Sequence, residues 1–184
     1  MPISSGQYLT PTHPGYVVGR YYIPPFYAGI SSTSTGTNII CYSPVYFGQT
    51  IKINSLSCRV STAASGGLAN LGIYRNNAGL PGTFAIKGGA VTTSTSGIRE
   101  IIFTAVQLNP GWYWLASLHN KSATWDAFAS PISNGLIGYN VIDNTTITGL
   151  RADATYDAVL PDTAPITNLA FQVTTPAIWF RPAA

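Results

Sequence analysis

The sequence predicts an all-β domain, an antiparallel β-sandwich, on three observations: the make-up of its polar surface, the spacing of its turn residues, and the period of its apolar positions. The chain has 184 residues and is 46% hydrophobic but only 8% charged, against roughly a quarter charged in ordinary soluble domains. Helix surfaces draw on Lys, Glu, Arg and Gln, yet this chain has a single glutamate, Glu100. Ser, Thr, Asn and Tyr supply the polarity instead, and Thr and Tyr suit a pleated surface. Clusters of Gly, Pro and Asn recur about every 8–15 residues, the spacing of a sandwich or barrel. No stretch sustains a 3.6-residue period, and the only helix-like piece, Thr124–Ala129, is too short to matter.

Along the chain, residues 1–15 are broken by Pro2, Gly6, Pro11, Pro14 and Gly15 and read as an extended arm. Residues 16–184 are long enough to bury one core and read as a single domain. An aromatic strand is expected over Tyr16–Tyr22, stopped by Pro24 and Pro25, then a polar loop at Ser31–Thr37 and a strand at Asn38–Phe47. The next strand runs from Thr50 to Val60. Its apolar residues fall at Ile51 and Ile53, then at Leu56, Cys58 and Val60, a one-residue slip near Asn54 and Ser55 that predicts a β-bulge. Further strands are expected at Ala69–Tyr74, Phe84–Thr93, Arg99–Leu108 and Trp112–His119. From Lys121 to Pro165 the pattern loosens, with strands placed at Leu136–Ile142 and Ala154–Val159. Leu169–Val173 and Ala177–Arg181 are read as closing strands.

Three runs carry a family likeness. They are LGIYRNNAGLPG (residues 71–82), TSGIREIIF (residues 95–103) and VQLNPGWYWLASLHN (residues 106–120), preceded by GRYYIPPFYAG and INSLSCRVSTAASGGLANLGIY. Together they resemble a jelly-roll module of tailed-bacteriophage virion proteins. In that module a strand ending in a G-I-Y-like motif meets an Asn/Gly/Pro turn, and a G-x-Y-W-L-A-like strand follows. The likeness spans roughly residues 16–120 and implies a jelly-roll-like sandwich, commonly homotrimeric, with a structural or adhesive role on a phage particle. Similar jelly rolls occur in carbohydrate-binding modules. The chain begins at Met1 and shows neither heptads nor β-helix repeats, so the expectation is a capsid decoration (cement) protein. Its partners would then be copies of itself and the major capsid protein, and its place the virion surface. The alternative is a receptor- or carbohydrate-binding module of a tail fibre or tailspike, with a host surface glycan as partner.

Other classes are argued against by what the residues lack. Nine basic and six acidic side chains are scattered without a basic run, so nucleic acid is not an expected partner. No apolar run approaches the roughly 20 residues of a membrane span, and the N-terminus lacks the charged and apolar regions of a secretory signal, which implies synthesis in the host cytoplasm. The sequons at Asn120 and Asn144 read as chance matches in an Asn/Thr-rich chain. No cofactor or metal is expected: His13 and His119 alone make no zinc site, and Asp143, Asp153, Asp157 and Asp162 lack calcium-loop spacing. Glu100 has no second carboxylate to work with and is expected to pair with Arg99 on the surface, so no enzyme is expected. Cys41 and Cys58 are read as buried small hydrophobes rather than a disulfide.

Two groups remain as candidate binding residues. Trp125 and Asp126 beside His119 and Asn120 combine a stacking ring with hydrogen-bonding groups, as a glycan site would. In the arm, Tyr8, Leu9 and His13 are candidates for gripping a neighbouring subunit. Trp112 and Trp114 share a strand face with Ala116 and Leu118 and are assigned to the core. Tyr113 lies opposite them, facing solvent or a partner.

Overall fold

The structure is a computed structural model, and it describes residues 15–131, 136–138, 146–157 and 159–184. Among these none is helical. The strands are β1 (Tyr27–Ser34), β2 (Ile39–Phe47), β3 (Ile51–Thr62), β4 (Leu68–Asn77), β5 (Leu80–Thr92) and β6 (Gly97–Leu108). They continue with β7 (Gly111–His119), β8 (Thr124–Pro131), β9 (Gly149–Asp153), β10 (Ala170–Gln172), β11 (Thr175–Pro176) and β12 (Trp179–Pro182).

They form two six-stranded antiparallel sheets. In the second sheet the order is β10-β9-β2-β7-β4-β5. In the first, β6 takes one edge of β3, while β12 and the start of β8 share the other. β11 also pairs with β8, and β1 lies outside β8. The chain changes sheet at almost every connection, with only the β4–β5, β9–β10 and β11–β12 steps staying in one sheet. This is the jelly-roll-like sandwich the sequence predicts.

The apolar alternation of each strand explains the packing. Ile51, Ile53, Leu56, Cys58 and Val60 of β3 all enter the core between the sheets, and the β3–β6 register shifts between Ile53 and Ser55, where the sequence slips phase. The β4–β5 hairpin turns at Ala78 and Gly79, both at positive φ (50° and 88°), between the paired Asn77 and Leu80. Two successive positive φ angles are what a two-residue hairpin with native twist requires.

β7 is buried on both sides. Tyr113 and Leu115 point between the sheets, whereas Trp114, Ala116 and Leu118 join a second cluster with Ile40, Tyr42 and Tyr74. Leu150, Ala152, Leu160 and Ala164 pack on that cluster, so the outer face of the second sheet carries its own apolar layer. Tyr113 therefore faces neither solvent nor a partner. Trp112 is the opposite case: at the start of the strand it lies outside both clusters and is 38% exposed.

Several segments differ from expectation. β1 continues through Ser34 where a loop was expected, because Ser31–Ser34 pair in register with β8 from Ala127 to Thr124. Ser and Thr serve an edge strand as well as a loop. Tyr16–Tyr22 makes a single bridge, Tyr22 to Phe180, since positive φ at Gly19 (83°) bends the chain. Thr124–Ala129 is strand, part of β8. The strand expected at Ala154–Val159 forms earlier, as β9, held by β2 and β10. Most of Leu136–Ile142 and the arm residues Tyr8, Leu9 and His13 lie outside the described residues. Cys41 and Cys58 are free, buried thiols, and burial pushes the Cys41 thiol up to about 12.

Candidate functional site

Of the four residues expected to form a glycan site, Trp125 and His119 meet, but inside the protein, while Asn120 and Asp126 turn to other partners. Trp125 and His119 are both fully buried, their rings edge to face at 4.7 Å between centroids. Trp125 belongs to the core between the sheets, so neither face of its indole can receive a sugar. The His119 Nε2 atom lies 2.9 Å from the Ser117 hydroxyl. Burial holds the imidazole pKa down at about 3, so it stays neutral at physiological pH. Asn120 spends its side chain on the backbone, accepting from the Leu68 N–H at 2.6 Å and donating to the Gly66 carbonyl at 3.3 Å. Asp126 accepts from the Arg59 guanidinium at 3.1 and 3.2 Å. The expectation of an accessible site is corrected for Trp125 and His119, which are buried in the sandwich, whereas Asn120 and Asp126 remain partly exposed.

What the structure does expose is the outer face of the first sheet. On β6, Ile98 is 73% and Ile102 is 63% exposed. They pair across the sheet with Arg59 and Ser55, and Glu100 between them pairs with Ser57. From β12, Trp179 lies opposite Ser57 and Arg181 opposite Ser55. Tyr21 arrives from the segment that borders β12. Tyr21, Ser57, Arg59, Ile98 and Trp179 line a groove of about 290 Å³.

Most charges of this face are engaged with one another. Glu100 accepts from the Tyr21 hydroxyl at 2.9 Å and from Ser55, and it lies 3.5 Å from Arg181. The expected pairing with Arg99 does not form, because Arg99 turns back to donate to the carbonyl oxygens of Thr95 and Ser96. Arg181 also donates to Asn54 Oδ1 at 3.2 Å and places its guanidinium 5.6 Å from the Tyr21 ring. The Tyr21 hydroxyl pKa is raised, mainly because it donates to the Glu100 carboxylate. The surface is therefore mainly aliphatic and aromatic, with Arg59–Asp126 and Arg181–Glu100 balanced as pairs and Lys52 of β3 the further exposed charge on this face.

The sequence shows part of this. Ile98, Glu100 and Ile102 alternate in plain view, but nothing local reveals that Tyr21 and Arg181 come to Glu100 from the two ends of the chain. The first sheet also ends in two open edges: among the described residues β6 pairs only with β3, and β1 only with β8. No group of three or more His, Cys, Asp or Glu residues suited to a metal ion occurs among the described residues.

No protein-family model matches the sequence, and no curated protein matches it. Among solved structures, the chain is similar to the cysteine protease and lectin-like domains of Cwp84, a surface layer associated protein of Clostridium difficile. That match has 15% identity and a TM-score of 0.46, and covers 82% of this chain and 33% of the other. A second match, the clostridial cysteine protease Cwp84 after propeptide cleavage, has 16% identity and a TM-score of 0.48, covering 88% of this chain and 40% of the other. The chain thus spans about a third to two fifths of the length of the structures it matches.

Proposed function

We propose that this chain is a non-catalytic virion structural protein that works as a homotrimer on the surface of a phage head, as a decoration protein. The observation that carries the reading is the open, aliphatic margin of the first sheet, where Ile98 and Ile102 stand exposed on an edge strand. Monomeric proteins guard such edges with Lys, Pro or bulges; the β3–β6 ladder has one register shift, between Ile53 and Ser55, but the stretch from Ile98 to Ile102 pairs without one. The only charged residues of β6, Arg99 and Glu100, are instead engaged within the chain.

The occupant is a second copy of the chain. Apart from Lys52, which is exposed on β3, the charges of this face are paired off, so it is sparsely charged, and the chain's own outer faces are similarly charge-poor. A three-fold ring needs two different surfaces that meet head to tail. The first sheet offers two, the β6 edge and the shorter, uncharged β1 edge, where Ile30 is 45% exposed. The sequence likeness to virion modules supports the setting, with the major capsid protein as the trimer's own partner.

Purified protein incubated with phage heads that lack it tests this directly. The wild type is expected to co-sediment with the heads at saturable stoichiometry. The double substitution Ile98→Asp with Ile102→Asp is expected to leave the protein folded but in the supernatant. Wild-type protein that ignores heads and instead adsorbs to host cells would replace this reading with the tail-fibre one.

A further inference from the structure

We infer that a second groove, on the outer side of the other sheet, is a binding site for a neutral saccharide, with Trp112 as its stacking platform. Pro44, Asn76, Gly79, Trp112, Trp114 and Ile137 line about 260 Å³ of space at the start of β7. A pocket this size sits at the small end of ligand sites, suited to a mono- or disaccharide.

Trp112 is exposed although a tryptophan gains much by burial, and its environment holds it in place. Phe26 stacks on it at 5.3 Å with planes 24° apart, and Tyr46 packs at 5.2 Å. The accessible remainder of the indole is thus a rigid, pre-oriented surface, which lowers the ordering cost of binding. Beside it, Trp114 donates from Nε1 to Asn76 Oδ1 at 3.0 Å. That bond fixes the amide, committing its oxygen and leaving the Nδ2 group as a hydrogen-bond donor at the groove. Asn76 sits at the rim of the β4–β5 hairpin, whose tight turn brings Gly79 backbone to the same groove.

A flat aromatic surface with an amide at its edge matches a pyranose, which has an apolar C–H face and a hydroxyl rim. None of the lining residues is charged, so the complementary ligand is neutral rather than a uronic or sialic acid. This groove lies on the opposite sheet from the β6 margin.

The test uses the full-length protein on an array of immobilised neutral oligosaccharides of glucose, galactose, mannose and N-acetylhexosamines. The best-bound series is then titrated in solution by tryptophan emission. The wild type is expected to bind at least one series. Trp112→Ala is expected to lower affinity about tenfold or more, while Trp112→Tyr, which keeps a ring, retains most of it. Asn76→Asp still accepts from Trp114 but loses the amide donor, and is expected to weaken binding as well. All three variants should keep the wild-type solution mass, which separates loss of the site from loss of the fold or of assembly. No binding by the wild type to any series at about 10 mM sugar, a level weaker than ordinary millimolar affinities, or equal binding by Trp112→Ala, would overturn the assignment.

Discussion

His119 shows how far a residue's setting outweighs its type. As one of two histidines in the chain it invites a reading as a ligand or proton donor, but it lies fully buried against Trp125 with its pKa held at about 3 by desolvation. That shift has a consequence for stability. Between pH 6.5 and 3 the unfolded chain protonates this imidazole while the folded protein does not, so the unfolded state binds more protons. The stability tied to neutral His119 is complete above about pH 6.5 and drains away as the pH falls toward 3. At roughly 1.4 kcal/mol per pH unit, lowering the pH from 6.5 to 5 is expected to cost about 2 kcal/mol from this group alone. Urea denaturation at both pH values checks it. The difference between the two should shrink by that amount in His119→Gln, and an unchanged difference would place the proton sensitivity elsewhere. The same burial explains why the sequence misplaces the glycan candidates. The short run around Trp125 carries no clear period, whereas β8 takes its indole straight into the core. Burial of a lone tryptophan is decided by neighbours far along the chain, and a local pattern does not contain them.

At the level of elements, β4 gives the G-I-Y motif its physical meaning. Gly72 sits where β4 and β5 slip register, between Leu71 and Gly72. A Cβ built there would lie 2.6 Å from the Ile86 carbonyl oxygen and would also strike the Leu160 side chain. The absent side chain lets β5 approach and lets Leu160 seal the outer apolar layer. Gly72→Ala is therefore expected to destabilise the protein by about 1–3 kcal/mol, the usual range for overpacking, read as a lower denaturation midpoint. Stability unchanged within about 0.5 kcal/mol, the scatter of neutral surface changes, would contradict the close packing described. Strands with clean alternation, such as β3 and β7, were legible in the sequence, as was the β3 bulge. β1 was not, since SSTSTGT reads equally as loop and as edge strand until β8 is placed beside it. β9 was shifted for a similar reason: it exists only because β2 and β10 flank it, and its five residues carry little pattern of their own.

For the whole molecule, the shortage of charge has two effects that composition alone foretells in outline. It removes the repulsion that keeps copies apart, and some of the few charges present are matched internally, as Arg59–Asp126 and Arg181–Glu100 are. The surface proposed for association was not legible, because the outer face of the first sheet is assembled from Tyr21, β3, β6 and β12, brought together only by the fold. Association through such a face rests on buried apolar area rather than on ion pairs, so it should respond weakly to salt. The measurement that bears most directly on this is the solution mass by sedimentation equilibrium at micromolar concentration, in low and in about 0.5 M salt, where exposed ion pairs are largely screened. The wild type is expected at three times the 19.5 kDa chain mass in both, and the Ile98→Asp, Ile102→Asp variant at the mass of one chain. A monomeric wild type, or a trimer indifferent to both substitutions, would contradict assembly through the first sheet.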